Sequence, residues 1–136
     1  MIWTYLTKLC FDSLMPITLL LADDANSIRS TIRHILETEP AIELIGEAID
    51  FPQALAMCAE LKPNVVLLDL HMPGEQFEAQ YVKAKLLDCA KHVLAMSVWN
   101  DGQSQRLASL YGCTTFLDKA QLGIELVPAI MTAAAG

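Results

Sequence analysis

Basic side chains are scarce in this chain. Nine Lys and Arg stand against sixteen Asp and Glu, a formal net charge of −7, and the nine are scattered rather than gathered in one segment. Such a surface repels a polyanion, so direct nucleic-acid binding is disfavoured. Long hydrophobic runs are missing too. No stretch reaches the roughly 18 uninterrupted apolar residues of a membrane span, and the nearest, residues 1–22, is broken by Lys8, Asp12 and Pro16. That segment also lacks a basic start followed by a long apolar run, which argues against a secretory signal. There is no Gly/Ser linker, low-complexity tract or internal repeat. The four cysteines, Cys10, Cys58, Cys89 and Cys113, form no C-x-x-C pair and have no histidine at metal-ligand spacing. They read as small buried or half-buried residues of a reduced cytoplasmic protein, with a zinc site or disulfide framework disfavoured.

What is present points to one folded domain. A chain of 136 residues with 54% apolar composition can bury roughly two-thirds of the surface it exposes when unfolded. Met15-Pro16 is the one candidate boundary. Residues 1–15 are an N-terminal extension, either disordered or a short amphipathic helix carrying Ile2, Leu6 and Leu9; residues 16–136 are the domain.

Within that domain, short apolar runs alternate with helical patterns. Strands are expected at Ile17–Ala22, Ile42–Ala48, Val65–Asp69, Val93–Ser97 and Thr114–Leu117. The run before Asp69 is apolar at every position, as in a central parallel strand covered on both sides, and Pro73-Gly74 turns the chain after it. The first helix is capped by Asn26 or Ser27 and turns Ile28, Ile32, Ile35 and Leu36 inward. The second starts near Pro52, with Ala54, Leu55, Cys58 and Leu61 inside. A third is lined by Phe77, Tyr81 and Ala84, and a fourth packs through Leu107, Leu110 and Tyr111 with Gly112 as its cap. The fifth starts near Ile124 or Glu125, because Pro128 is tolerated only where its missing N–H would be unpaired anyway.

Five β-α units imply an α/β fold with a parallel sheet and right-handed crossovers, for which the doubly wound order 2-1-3-4-5 is a common solution. That order makes strands one and three neighbours. Asp23, Asp24 and Asp69 then meet in one crevice at the carboxyl edge, with Ser97 and Lys119 ending the next two strands. Two unit charges 4 Å apart at an effective dielectric near 20 interact by roughly 4 kcal/mol, so three carboxylates need a counter-charge. Mg²⁺ suits an open site of carboxylates, waters and a phosphate. Lys119 adds a positive charge and Ser97 a hydroxyl. The set fits a phosphoryl group bonded to Asp69 as nucleophile.

In these positions the sequence resembles a bacterial response-regulator receiver domain, from Ile17 to about Thr132. The resemblance rests on Asp23-Asp24 after strand one, Asp69 before Met72-Pro73-Gly74, Ser97 after strand four, Lys119 after strand five and Phe116 three residues before that lysine. It implies the flavodoxin-like receiver fold, Asp69 as phosphoacceptor, and Mg²⁺ held by Asp23, Asp24, Asp69 and the backbone carbonyl of His71. It also implies Ser97 and Phe116 as the switch pair. The expected donor is a histidine kinase or phosphotransfer protein, and the expected readout surface is helix four, strand five and helix five, facing an effector protein or a second copy of the chain. The segments Ile42–Ala48 and Val65–Leu70 are similar to receivers that precede a helix-turn-helix, for which this sequence has no room. Self-catalysed phosphoryl transfer and loss, rather than turnover of a metabolite, is the implied chemistry.

The sequence departs from that pattern at Ala120 in place of a proline, at the bulky Val98, at His71, and at Trp99-Asn100. The alternative reading is a receiver-like interaction module that works without phosphorylation. A phosphohydrolase would want a second acid where His71 stands, and a flavin phosphate would be repelled by Asp23-Asp24.

Overall fold

The computed structural model describes residues 15–72 and 77–136. The extension before Met15 and the Pro73-Gly74 turn lie outside the described residues. Five strands, β1 (Ile17–Ala22), β2 (Ile42–Ala48), β3 (Val65–Asp69), β4 (His92–Ser97) and β5 (Thr115–Asp118), alternate with five helices. These are α1 (Asn26–Leu36), α2 (Phe51–Leu61), α3 (Ala79–Cys89), α4 (Gly102–Leu110) and α5 (Leu122–Ala135). The sheet is parallel throughout, in the order β2-β1-β3-β4-β5, as expected from the alternation of short apolar runs with helices.

Side-chain alternation along the strands divides the core in two. Leu20, Ala22, Val66, Leu68, Val93 and Ala95 face α2, α3 and α4. Leu19, Leu21, Val65, Leu67, Leu94 and Met96 face α1 and α5. All five residues of β3 are buried, because helices cover it on both sides.

The helices depart from the sequence expectation in their details. No side chain of Asn26 or Ser27 caps α1; the N-cap is Ala25, whose N–H donates to Asp23 Oδ1 at 2.8 Å. Asp50 caps α2, accepting from the Gln53 N–H at 2.8 Å. Leu61 is exposed at the end of that helix. In α3 the inward residues are Val82 and Leu86, one residue on from the expected Tyr81 and two on from the expected Ala84. Tyr81 instead stacks on Phe77, with ring centroids 5.4 Å apart. In α4 Ser104 and Ala108 turn inward and Leu110 is exposed.

Helix α5 begins at Leu122, earlier than expected, after a single 3-10 turn at Lys119–Gln121. Pro128 therefore lies inside it. A proline inside a helix costs about 3 kcal/mol. Leu122, Leu126 and Ile130 are 2%, 0% and 0% exposed, and each is worth about 1.5–3 kcal/mol of burial, which outweighs the lost bond.

Gly112 follows α4 with φ +82, and a Cβ there would meet Lys83 Cγ at 2.9 Å. Gly112→Ala is expected to lower stability by about 1–2 kcal/mol, chiefly from the left-handed backbone, since the Lys83 side chain can move aside. Urea unfolding checks this; an unchanged midpoint would contradict it.

Two cysteines also depart from expectation. The sulfurs of Cys58 on α2 and Cys89 at the end of α3 are bonded, with Cα atoms 5.8 Å apart. The two residues are 31 positions apart in sequence, and only the side-by-side packing of α2 and α3 brings them together. Cys113 is a free thiol, and its burial pushes its pKa up to about 12.

Candidate functional site

Strand register builds the acidic crevice. Leu21 pairs with Leu67 and Ala22 with Leu68, so the next residues along β1 and β3, Asp23 and Asp69, leave the sheet side by side. Asp69 in turn pairs with Met96 on β4, and Ser97 with Asp118 on β5. Side chains 46 positions apart in sequence are thereby set on one rim.

Asp23 is 0% exposed and Asp69 3%. Oxygen atoms of Asp23, Asp24 and Asp69 lie within 4.8 Å of one another, with Asp24 on the open side. Lys119 reaches in from the end of β5, its Nζ 2.7 Å from Asp23 Oδ2 and 3.3 Å from Asp69 Oδ1. The backbone also contributes, as the His71 N–H donates to Asp69 Oδ1 at 3.1 Å. Asp23 Oδ2 is buried without an aligned hydrogen-bond donor. The ammonium beside it supplies charge but not hydrogen-bond geometry. Three clustered hard-oxygen donors, one of them buried with an unaligned lone pair, make a set that fits a small divalent cation.

Burial raises the pKa of Asp69, and the neighbouring charge of Asp23 adds to the rise; Lys119 and the His71 N–H work against it. Negative charge on Asp69 is thus held in this crevice at a cost.

The remaining predicted residues sit around this cluster. Ser97 is fully buried at the end of β4, and its Oγ accepts from the Trp99 N–H at 3.0 Å. Phe116 on β5 is half-buried and packs against the core under α4. The His71 side chain is exposed and meets Trp99 edge-on, with centroids 5.0 Å apart and an interplanar angle of 82°. Val98 and Trp99 are both largely exposed.

Sequence reasoning missed Arg29. Its Nη1 donates to the Asp23 carbonyl oxygen at 2.8 Å, and its Nε lies 3.4 Å from Glu47 Oε1, so it pins the end of β1 to α1 and β2. An arginine six residues after an acid carries no motif, and only the turn from β1 into α1 reveals the contact.

Fold and crevice together define a class: a doubly wound α/β domain whose switch-point edge carries clustered carboxylates closed by one lysine. The chain belongs to the response regulator receiver domain family, whose model matches residues 19–130. It is 30% identical over 121 residues to the nitrate/nitrite response regulator protein NarL of Escherichia coli (strain K12), covering 89% of this chain and 56% of that protein. It is 32% identical over 121 residues to the transcriptional regulatory protein LiaR of Bacillus subtilis (strain 168), covering 88% of this chain and 57% of that protein. The chain therefore spans little more than half the length of these relatives. Among solved structures, the signal receiver domain of Mycobacterium tuberculosis NarL superposes with a TM-score of 0.78 at 27% identity, covering 90% of this chain and 98% of that one. The response regulator domain of Thermotoga maritima CheB superposes with a TM-score of 0.76 at 23% identity, over 89% and 98% of the two chains, a likeness of fold. Among the described residues, no helix is long and apolar enough to cross a membrane.

Proposed function

We propose that this receiver domain is a phosphorylation-dependent switch in the cytoplasm, with Asp69 as its phosphoacceptor. The observation that carries the reading is the meeting of Lys119 with both Asp23 and Asp69 beside the open Asp24 carboxylate. A carboxylate nucleophile needs an accessible oxygen, a counter-charge and a way to neutralise an incoming phosphoryl group. Asp69 supplies the first and Lys119 the second.

Asp23 and Asp24, with Asp69 and the backbone carbonyl of His71, would hold Mg²⁺. That ion, when bound, would offset the negative charge that gathers on the phosphoryl oxygens during transfer. Lys119 stays close to both buried acids and draws the non-attacking Asp69 oxygen into an ion pair. Ser97 is positioned on the neighbouring strand to donate its hydroxyl to a phosphoryl oxygen, which requires giving up the contact with the Trp99 N–H.

Phosphorylation adds roughly −1.5 to −2 charges and three acceptor oxygens. Movement of Ser97 opens space for Phe116, and the surface of α4, β5 and α5 then changes its affinity for an effector protein or a second copy of the chain. A histidine kinase or phosphotransfer protein is the donor, and the domain accepts and loses the group by its own chemistry rather than turning over a metabolite.

The test is incubation of the chain with acetyl phosphate, read by intact mass. One phosphoryl group per chain is expected with Mg²⁺ and none with excess chelator. No uptake in Mg²⁺ would overturn the phosphoacceptor reading and favour a module that binds its partner without phosphorylation.

A further inference from the structure

The Cys58–Cys89 pair lies away from the acidic crevice and plays no part in the switch just described. Cys58 sits on the inner face of α2, 0% exposed, while Cys89 ends α3 and is half-buried. Their Cα separation of 5.8 Å is one that a disulfide spans without moving either backbone. The open form would also have partners. Cys89 Sγ lies 3.0 Å from the Lys85 carbonyl oxygen and 3.6 Å from that of Leu86, so a thiol there has acceptors within its own helix. The Cys58 side chain packs in the apolar core between α2, α3 and the sheet, where a neutral thiol is at home.

We infer that Cys58 and Cys89 form a reversible oxidation site, a covalent clamp between α2 and α3 closed by exchange with a low-molecular-weight disulfide. The asymmetry in exposure sets the order of events. The Cys89 thiolate attacks one sulfur of the small disulfide, forming a mixed disulfide at Cys89 and releasing one small thiol. The adjacent Cys58 loses its proton and attacks the Cys89 sulfur, forming the internal bond and releasing the second small thiol. Two protein thiols are oxidised by two electrons and one small disulfide is reduced to two thiols. Cys58 never has to meet the reagent, which its burial would prevent. The closed loop contains all of β3, including Asp69, so oxidation ties together the two ends of the segment that carries the phosphoacceptor position.

The test equilibrates the full chain with mixtures of reduced and oxidised glutathione, quenches by alkylation, and maps disulfides by peptide mass without reduction. Cys58 and Cys89 are expected to leave the alkylated pool together and return together on reduction. Closure should raise the thermal midpoint by about 10 °C, because it constrains a loop of 31 residues in the unfolded chain. The Cys89→Ser variant, altered at the half-buried position so that folding is retained, should show no oxidant-dependent rise, and neither should Cys58→Ala. Independent alkylation of the two thiols, glutathione retained on Cys89 without closure, or a bond that leaves the midpoint unchanged would each overturn the clamp.

Discussion

The Asp69→Asn variant is expected to take up no phosphoryl group from acetyl phosphate under conditions where the parent chain gains one, and to be the more stable protein when metal is absent. The first effect is all or none. An amide oxygen is not a nucleophile, and no other carboxylate of the crevice has Asp69's combination of a β3 strand end and contact with Lys119. Equal labelling of parent and variant would place the phosphoryl group elsewhere.

The second effect follows from the electrostatics of the metal-free site. Burial and then the charge of Asp23 raise the Asp69 pKa above its ordinary 3.8, against the pull of Lys119 and the His71 N–H. The native state therefore holds the Asp69 proton more tightly than the unfolded chain does. This contribution to stability is fully present below the unfolded value and is lost as pH rises through the folded one. Near neutral pH the parent carries the whole penalty and the asparagine variant none. The variant's thermal midpoint without metal should lie above the parent's, with the gap closing as the pH falls below 3.8. Excess Mg²⁺ should narrow the gap from the other side by stabilising only the parent. Coincident midpoints across this range would show that Asp69 is not under strain.

Lys119→Ala has the opposite sign and the larger effect on folding. Among the described residues, Lys119 is the only side chain that pairs with Asp23 or Asp69, and its own side chain is 9% exposed. Removing one partner of a buried ion pair leaves an uncompensated charge and costs about 3–5 kcal/mol; here the alanine leaves two. Urea unfolding near neutral pH should show a loss of about 3 kcal/mol without metal. Acid should reduce that loss, because protonated carboxyls no longer repel, and excess Mg²⁺ should reduce it by replacing the missing positive charge. A loss below about 1 kcal/mol would mean that water reaches the crevice and screens the acids as it does at a surface.

The two results separate roles that the crevice combines. Asp69→Asn relieves the charge and removes the nucleophile, while Lys119→Ala keeps the nucleophile and removes the counter-charge. A stable protein that is not labelled and a weakened protein rescued by Mg²⁺ would together assign acceptor and counter-ion to different side chains.

Much of this was legible in the sequence because it depends on local pattern. The bounds of β1 coincide with an apolar run whose end is marked by Asp23-Asp24, and those of β2 with the expected Ile42–Ala48 stretch that ends at the turn before Phe51. The apolar continuity of Val65–Leu68 anticipated a strand covered on both faces, and the β-α alternation allowed the strand order. Gly112 was recognisable as a cap because no other residue type sits as easily at a positive φ.

Helix faces were less legible. An α-helical stripe drifts by about 100° per residue, so a one-residue error turns Tyr81 outward and Val82 inward. Leu110 was expected inside because it is apolar, yet Ser104 and Ala108 occupy the inner face. The start of α5 was misplaced because Pro128 marks a local cost, whereas the burial of Leu122, Leu126 and Ile130 against the sheet is a tertiary gain.

The sequence by itself determined the alternating architecture and the identity of the acids, hydroxyl and lysine at the strand ends, since those follow from residue type and period. Only the tertiary structure decided which of them touch. It placed Lys119 on both Asp23 and Asp69, aimed Arg29 at the end of β1, stood His71 against Trp99, and joined Cys58 to Cys89. The Arg29 contact is set by the turn from β1 into α1; the others join side chains 28 or more positions apart, which meet only once the sheet and its covering helices have closed the distance.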